Sequence, residues 1–109
     1  MGATDTMEIV FEKLNSGDRQ GAVDLMDERV EMRVHVRDGS RTLRGVQQVG
    51  SWFLRGDTGL KMVPGEVREM GAQYEADLLV LRPDVPSQHI DATFRVEAGF
   101  ITSINLSPR

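Results

Sequence analysis

The stretch that decides the fold is ERVEMRVHVR, residues 28–37. Its apolar side chains occupy every second position, which is the period of a strand with one buried face. Upstream the period is that of an amphipathic helix, because apolar side chains recur at i, i+3, i+4 and i+7 in Met7, Val10, Phe11 and Leu14. The chain therefore changes from helix to strand near Glu28, which indicates a domain of mixed α and β structure.

The segments on either side of this stretch carry clear boundary signals. Asn15-Ser16-Gly17 predicts the end of the first helix, and Asp18 can cap a second helix that begins at Arg19. We expect the second helix to bury Ala22, Leu25 and Met26. After the first strand, Asp38-Gly39 predicts a tight hairpin turn, because glycine adopts positive φ without steric cost, and residues 41–44 return as a second strand.

The second half of the chain contains one more helix and then only strands. Val46, Val49 and Phe53 recur at helical spacing between Gly45 and Gly56. Four further strands follow, at Leu60–Met70, Gln73–Arg82, Ser87–Val96 and Phe100–Leu106. Pro64 interrupts the first of them, which indicates an edge position or a bulge. The predicted order is α-α-β-β-α-β-β-β-β, an α+β fold with helices on one face of an antiparallel sheet.

Composition limits the possible functions. The 109 residues, 39% of them hydrophobic, predict a single domain spanning residues 1–109. The net charge of −4 comes from interspersed acids and bases, so we expect no nucleic acid partner. No apolar run approaches the roughly 20 residues that cross a bilayer, and no signal peptide is recognisable, so we expect no membrane association and a cytoplasmic location. The absence of cysteine excludes disulfides, thiolate catalysis and cysteine-ligated zinc.

Four stretches resemble one superfamily when they are taken in order: FEKLNSGD (11–18), AVDLMDERV (22–30), RGV (44–46) and EAGFI (97–101). They resemble segments of the nuclear transport factor 2-like superfamily, which includes ketosteroid isomerases, limonene-epoxide hydrolases and polyketide cyclases. The resemblance implies a cone-shaped, curved antiparallel sheet packed on three N-terminal helices, a cystatin-like α+β barrel that surrounds an apolar pocket. It also implies a homodimer.

The catalytic residues of those enzymes do not carry over. The positions that match the ketosteroid isomerase tyrosine and its two aspartates hold Val10, Val34 and Ala92. A shift of one residue in the alignment would bring Asp91 into a matching position. The Arg-x-Asp element of the epoxide hydrolases is missing from the fourth strand, which reads EADL at residues 75–78. Neither mechanism is predicted here.

Strand alternation tests which polar groups could reach a pocket. Residues two apart share a face of the sheet, so Asp77, His89, Asp91 and His35 are expected outside the pocket. His89 and Asp91 would then take part in a cross-strand polar pair or, with a further ligand, hold a metal ion. Because two candidate ligands without a third are a weak metal signal, we predict no metal site, and we predict no cofactor. The remaining catalytic candidates are Tyr74, Asp77 and Asp91. The Tyr74 phenol either donates a hydrogen bond to a ligand carbonyl or lies in water at the rim of the pocket. Asp77 faces inward only if its strand is bulged.

The inner faces of the strands and the third helix supply the predicted pocket. Its lining residues are Met32, Val34, Trp52, Phe53, Met62, Tyr74, Leu78, Ala92 and Phe94. Aromatic and thioether groups of this kind suit a flat apolar ligand. The alternative is that the same side chains fill the core of a small domain and leave no cavity.

The run Leu78-Leu79-Val80-Leu81 is apolar on both faces of its strand. A strand with one face in water does not normally place leucines there, so Leu79 and Leu81 are predicted to be covered by a second copy of the chain.

Three functions follow from these patterns. The first is a protein that binds a small apolar molecule without evident catalysis. The second is an isomerase, cyclase or hydrolase with a rearranged acid and base set. The third is a homodimerisation module whose pocket is filled.

Overall fold

The structure, a computed structural model, describes residues 2–36, 38–54, 61–83 and 85–108. Three helices form in this part of the chain: α1 (Ala3–Asn15), α2 (Arg19–Val23) and α3 (Gly45–Leu54). The predicted end of the third helix at Gly56 and the predicted start of the third strand at Leu60 lie outside the described residues.

The α1–α2 connection follows the sequence signals. Gly17 has a φ of 90°, a conformation that glycine adopts at little cost. The Asp18 carboxylate accepts a hydrogen bond of 2.9 Å from the backbone N–H of Gly21, which caps α2. The prediction that this helix buries Leu25 and Met26 is wrong. The helix has only five residues, and Met26 is already the first residue of a strand, because the apolar pattern there continues into the strand.

Six strands make one sheet: β1 (Met26–Val36), β2 (Gly39–Arg44), β3 (Lys61–Met70), β4 (Gln73–Arg82), β5 (Val85–Glu97) and β6 (Phe100–Pro108). Their order across the sheet is β2-β1-β6-β5-β4-β3. The predicted α+β class and the predicted order of elements are confirmed. The curved sheet remains open, with β2 and β3 as its two edges.

One feature of the topology departs from a purely antiparallel sheet. β1 pairs with β6 in parallel, with Met32 opposite Ile104, whereas every other neighbouring pair of described strands is antiparallel. The hairpin signals in the sequence predict neighbours that follow each other along the chain. They carry no information on a pairing between β1 and β6.

The proline in β3 has the predicted effect. The register between β3 and β4 shifts between Pro64 and Val67, and β3 is an edge strand, so Pro64 lies next to a bulge at the edge of the sheet. β5 begins at Val85, two residues before the predicted Ser87.

The core lies between the helices and the inner face of the sheet. The described inner residues of β4 and β5 alternate as predicted, with Leu78 fully buried and Ala92 at 3% exposure. Each large aliphatic side chain buried in this way contributes about 1.5–3 kcal/mol to stability. α3 approaches α2 closely at Gly50, where an added Cβ would lie 3.0 Å from a methyl carbon of Val23.

Candidate functional site

An apolar cavity of about 590 Å³ opens at one end of the sheet. We call it the end cavity. Its walls are apolar side chains from five strands: Val34, Met62, Val80, Ile90 and Leu106. Trp52 of α3 lies beside them. The other lining residues lie near the ends of β1 and β6 and near the start of β5, and we call them the rim: His35, Val36, Gln88, Ser107 and Pro108.

Strand geometry explains why the space appears at this end. Moving two residues along a strand, about 7 Å, keeps the side chain on the same face. From the cavity wall, such a step leads from Val34 to Met32 and from Leu106 to Ile104, which are at most 1% exposed. The helices therefore cover the inner face over these deeper rows, whereas Val34 in the next row is only half-buried.

Trp52 forms one side of the cavity and is itself half-buried. Its ring contacts the ring of Phe53 with centroids 4.9 Å apart and an interplanar angle of 78°. Edge-to-face contacts of this kind are favourable and fix the orientation of the indole. Because Phe53 is buried, it anchors Trp52 at the boundary between the core and the cavity.

Two side chains from the α1–α2 region hold the cavity walls in place. The Asn15 carboxamide donates to the Met62 carbonyl at 2.9 Å and accepts from the Met62 N–H at 2.8 Å. Arg19 donates from one guanidinium nitrogen to the Phe53 carbonyl at 3.1 Å, near the end of α3. Asn15 thus fixes the edge strand at a wall residue, and Arg19 fixes the helix next to Trp52.

The polar groups of the end cavity lie at its rim. Among the described lining residues, polar side chains come only from His35, Gln88 and Ser107, together with the indole N–H of Trp52. No Asp, Glu, Lys or Arg is among them. His35 also borders the cavity and is half-buried. Alternation predicts that its side chain points to the opposite face of β1 from Val34 and Val36, and this stays a prediction.

The nine predicted pocket residues separate into two groups. Val34, Trp52 and Met62 line the end cavity. The others are not among its lining residues and are buried in the core: Met32, Phe53, Tyr74, Leu78, Ala92 and Phe94. The wall residues that the sequence analysis did not select include Val80, Ile90 and Leu106. Val80 and Ile90 are two residues from Leu78 and Ala92, so alternation puts them on the same inner face, but it does not show which row of the sheet lies beyond the helices.

Tyr74 lies deep in the molecule, away from the end cavity. It is 2% exposed and packs against Phe11 and Phe94, each with ring centroids 6.1 Å from its own. Burial raises the pKa of its phenol above the ordinary value of 10.0, and the Glu8 carboxylate raises it further. Six residues of β4 separate Tyr74 from Val80, a distance of about 20 Å. Its hydroxyl therefore does not reach the cavity.

Asp77 and Asp91 lie on the opposite, outer face of the sheet. They are directly opposite each other on β4 and β5, and Asp77 Oδ1 is 3.6 Å from His89 Nδ1. His89 and Asp77 thus form a cross-strand polar pair. Among the described residues, no group of three His, Cys, Asp or Glu side chains could hold a metal ion.

Leu79 and Leu81 also lie on the outer face, and both are half-buried. Leu79 is opposite Val63 of β3, which is 42% exposed. These three side chains form an apolar patch near one edge of the outer face, which we call the outer patch.

Comparison with solved structures identifies the fold. A nuclear transport factor 2-like protein of unknown function from Cytophaga hutchinsonii superimposes with a TM-score of 0.82 at 16% identity, covering 100% of this chain and 91% of the other. The chain has the nuclear transport factor 2-like fold. The resemblance inferred from the sequence is thereby confirmed at the level of the fold.

Two further structures with the nuclear transport factor 2-like fold show how varied its members are. One is described as a ketosteroid isomerase from Kribbella flavida, with a TM-score of 0.81, 13% identity and coverage of 98% of this chain and 78% of that one. The other is a computationally designed 17-OHP binder, with a TM-score of 0.81, 19% identity and coverage of 98% and 90%.

Sequence comparisons give no closer relative. No family model matches the chain, and no curated protein matches it significantly. No helix in the described ranges is long and apolar enough to cross a membrane.

Proposed function

We propose that this protein binds a small apolar molecule in the end cavity. The observation that carries the proposal is the cavity itself, a space of about 590 Å³ that opens to the surface and is lined by Val34, Met62, Val80, Ile90 and Leu106. Pockets of a few hundred Å³ with apolar walls and a few polar groups are typical small-molecule sites. The designed 17-OHP binder with this fold gives the proposal further support.

The chemistry around the cavity supports binding over catalysis. General acid and base catalysis needs a titratable group within hydrogen-bond reach of the reacting atom. His35 is the only titratable side chain among the described lining residues. The candidates for a rearranged catalytic set are elsewhere, with Tyr74 in the core and both aspartates on the outer face. The volume of the cavity also argues against a module whose pocket is filled.

Binding is tested with N-phenyl-1-naphthylamine, an uncharged dye that fluoresces in apolar surroundings. The dye should bind saturably, quench the fluorescence of Trp52, which is the one tryptophan of the chain, and raise the thermal midpoint by mass action. Val34→Phe should place a ring in the cavity and weaken dye binding at least tenfold. The matched control is Val63→Phe on the outer face, which should leave binding unchanged. Equal binding by the two variants would mean that the dye lies elsewhere.

The outer patch supports a second proposal, a homodimer formed through the outer faces of two sheets. Leu79 and Leu81 leave apolar surface next to the exposed Val63, and a twofold axis there would cover all three side chains with their copies. In the double variant Leu79→Glu/Leu81→Glu, negative charges from the two copies would lie close together across the axis. We therefore expect this variant to sediment as a monomer, with an unchanged circular dichroism spectrum. Ile9→Glu, at an exposed site on α1, is the control and should keep the dimer. A monomeric wild type would contradict this proposal without affecting ligand binding.

A further inference from the structure

The end cavity has hydrogen-bonding side chains at one end only. Along β5, Gln88 and Ile90 face the same way, and Gln88 lies at the open end while Ile90 lies one step deeper. The same step leads from Val36 to Val34 on β1. Gln88 is opposite Val80, which is opposite Met62, whereas Leu106 is opposite Val34 and Ala92, two such steps farther along β5. The deeper row that holds Val34 and Leu106 is aliphatic. Among the lining residues on the inner faces of the strands, Gln88 is the one with a polar side chain, and it lies in the outermost row.

The backbone behind the deeper row is also occupied. Val34 and Leu106 are opposite each other on strands that have a neighbour on both sides, so their backbone N–H and C=O groups take part in the sheet. Met62 is the one described wall residue on an edge strand, and Asn15 accepts from its N–H and donates to its carbonyl. The floor therefore offers a ligand neither a side-chain nor a free backbone partner for a hydrogen bond.

From this asymmetry we infer that the ligand is an apolar molecule with a single polar end, which stays at the rim beside Gln88. The inference rests on the proposed binding function and narrows its ligand class. A molecule with polar groups at both ends would have to bury one of them against Val34, Ile90 and Leu106 without a partner. A buried hydroxyl without a hydrogen bond weakens binding by about 10- to 100-fold.

Two compounds of the same ring size test this ligand class. 2-Naphthol has one hydroxyl, and 2,6-dihydroxynaphthalene has a second at the far end of the same rings. In competition with N-phenyl-1-naphthylamine, 2-naphthol should displace the dye at a concentration about 10- to 100-fold below that needed for the diol. Equal displacement by the two compounds would overturn the inference and leave dye binding intact. Failure of the dye itself to bind would overturn the proposed function as well.

A substitution in the floor should remove the discrimination. Val34→Thr keeps the shape of the side chain and supplies a hydroxyl partner for the far end of the diol. We expect it to reduce the preference for 2-naphthol at least threefold, while Val63→Thr on the outer face leaves the preference unchanged. An unaltered preference in Val34→Thr would show that the floor does not contact the far hydroxyl, which contradicts the inference.

A substitution at the rim tests the other end of the ligand. Gln88 is exposed, so Gln88→Leu should leave the fold intact and reduce the affinity for 2-naphthol relative to naphthalene by about 3- to 10-fold. Gln47→Leu, at an exposed site on α3, is the matched control. If Gln88→Leu binds both compounds as the wild type does, the polar end of the ligand does not lie at Gln88.

Discussion

Removing the Asn15 side chain is the most informative perturbation of the site, because one carboxamide makes two hydrogen bonds to a single cavity residue. Asn15→Ala deletes the bonds of 2.9 Å and 2.8 Å to the Met62 carbonyl and N–H. Each bond contributes a net ~0.5–1.5 kcal/mol, and a backbone group left without a partner in a partly buried place costs more. We therefore expect a loss of about 2–3 kcal/mol in the free energy of unfolding.

The loss is measured from urea denaturation midpoints and from thermal unfolding, where about 4–8 °C per kcal/mol is expected for a domain near this size. Asn15→Asp is nearly isosteric and keeps only the acceptor, so its loss should be smaller, because one of the two bonds survives. Asn105→Ala, at an exposed site on β6, is the control and should change stability by less than about 0.5 kcal/mol. A loss that small for Asn15→Ala would refute the argument that this carboxamide secures the cavity wall.

Three further predictions follow from burial. The folded state holds the Tyr74 proton more tightly than the unfolded state, because burial raises the pKa of the phenol. The contribution of Tyr74 to the free energy of unfolding should therefore be constant below about pH 10 and fall as the pH rises above it. Urea midpoints measured across that range should show this fall, and Tyr74→Phe should remove it. Ala92→Phe should destabilise the protein by about 1–3 kcal/mol through overpacking in the core, and a variant that unfolds like the wild type would show unfilled space there. Trp52→Ala should cost less than the ~3–5 kcal/mol of a fully buried tryptophan, since the indole is half-buried, and a urea midpoint that shows a full loss would place it in the core.

Most of the fold could be predicted from local patterns. The change of period near Glu28, the glycine at residue 39 and the proline at residue 64 each act through the conformation of a few neighbouring residues, and each has the predicted effect. The end of α2 was predicted too late, because Leu25 and Met26 fit a helical pattern and a strand pattern equally well. A five-residue helix is held by its packing on α1 and α3, which a local pattern does not report.

The site could be predicted less well, because a cavity is a property of several elements together. Alternation assigned Tyr74, Leu78 and Ala92 to the inner face, and they are buried there. Whether an inner residue lies in the core or against open space depends on where the helices end above the sheet.

The parallel pairing of β1 with β6 has a consequence for the order of folding. β1 and β2 form one hairpin, and β3 to β6 form a continuous meander, so each group can assemble from contacts close in sequence. The two groups join only where residues such as Met32 and Ile104 meet across most of the chain. Closing so large a loop is slow compared with hairpin formation. The end cavity takes Val34 from one group and Leu106 from the other, so the cavity is complete only once the two groups have joined.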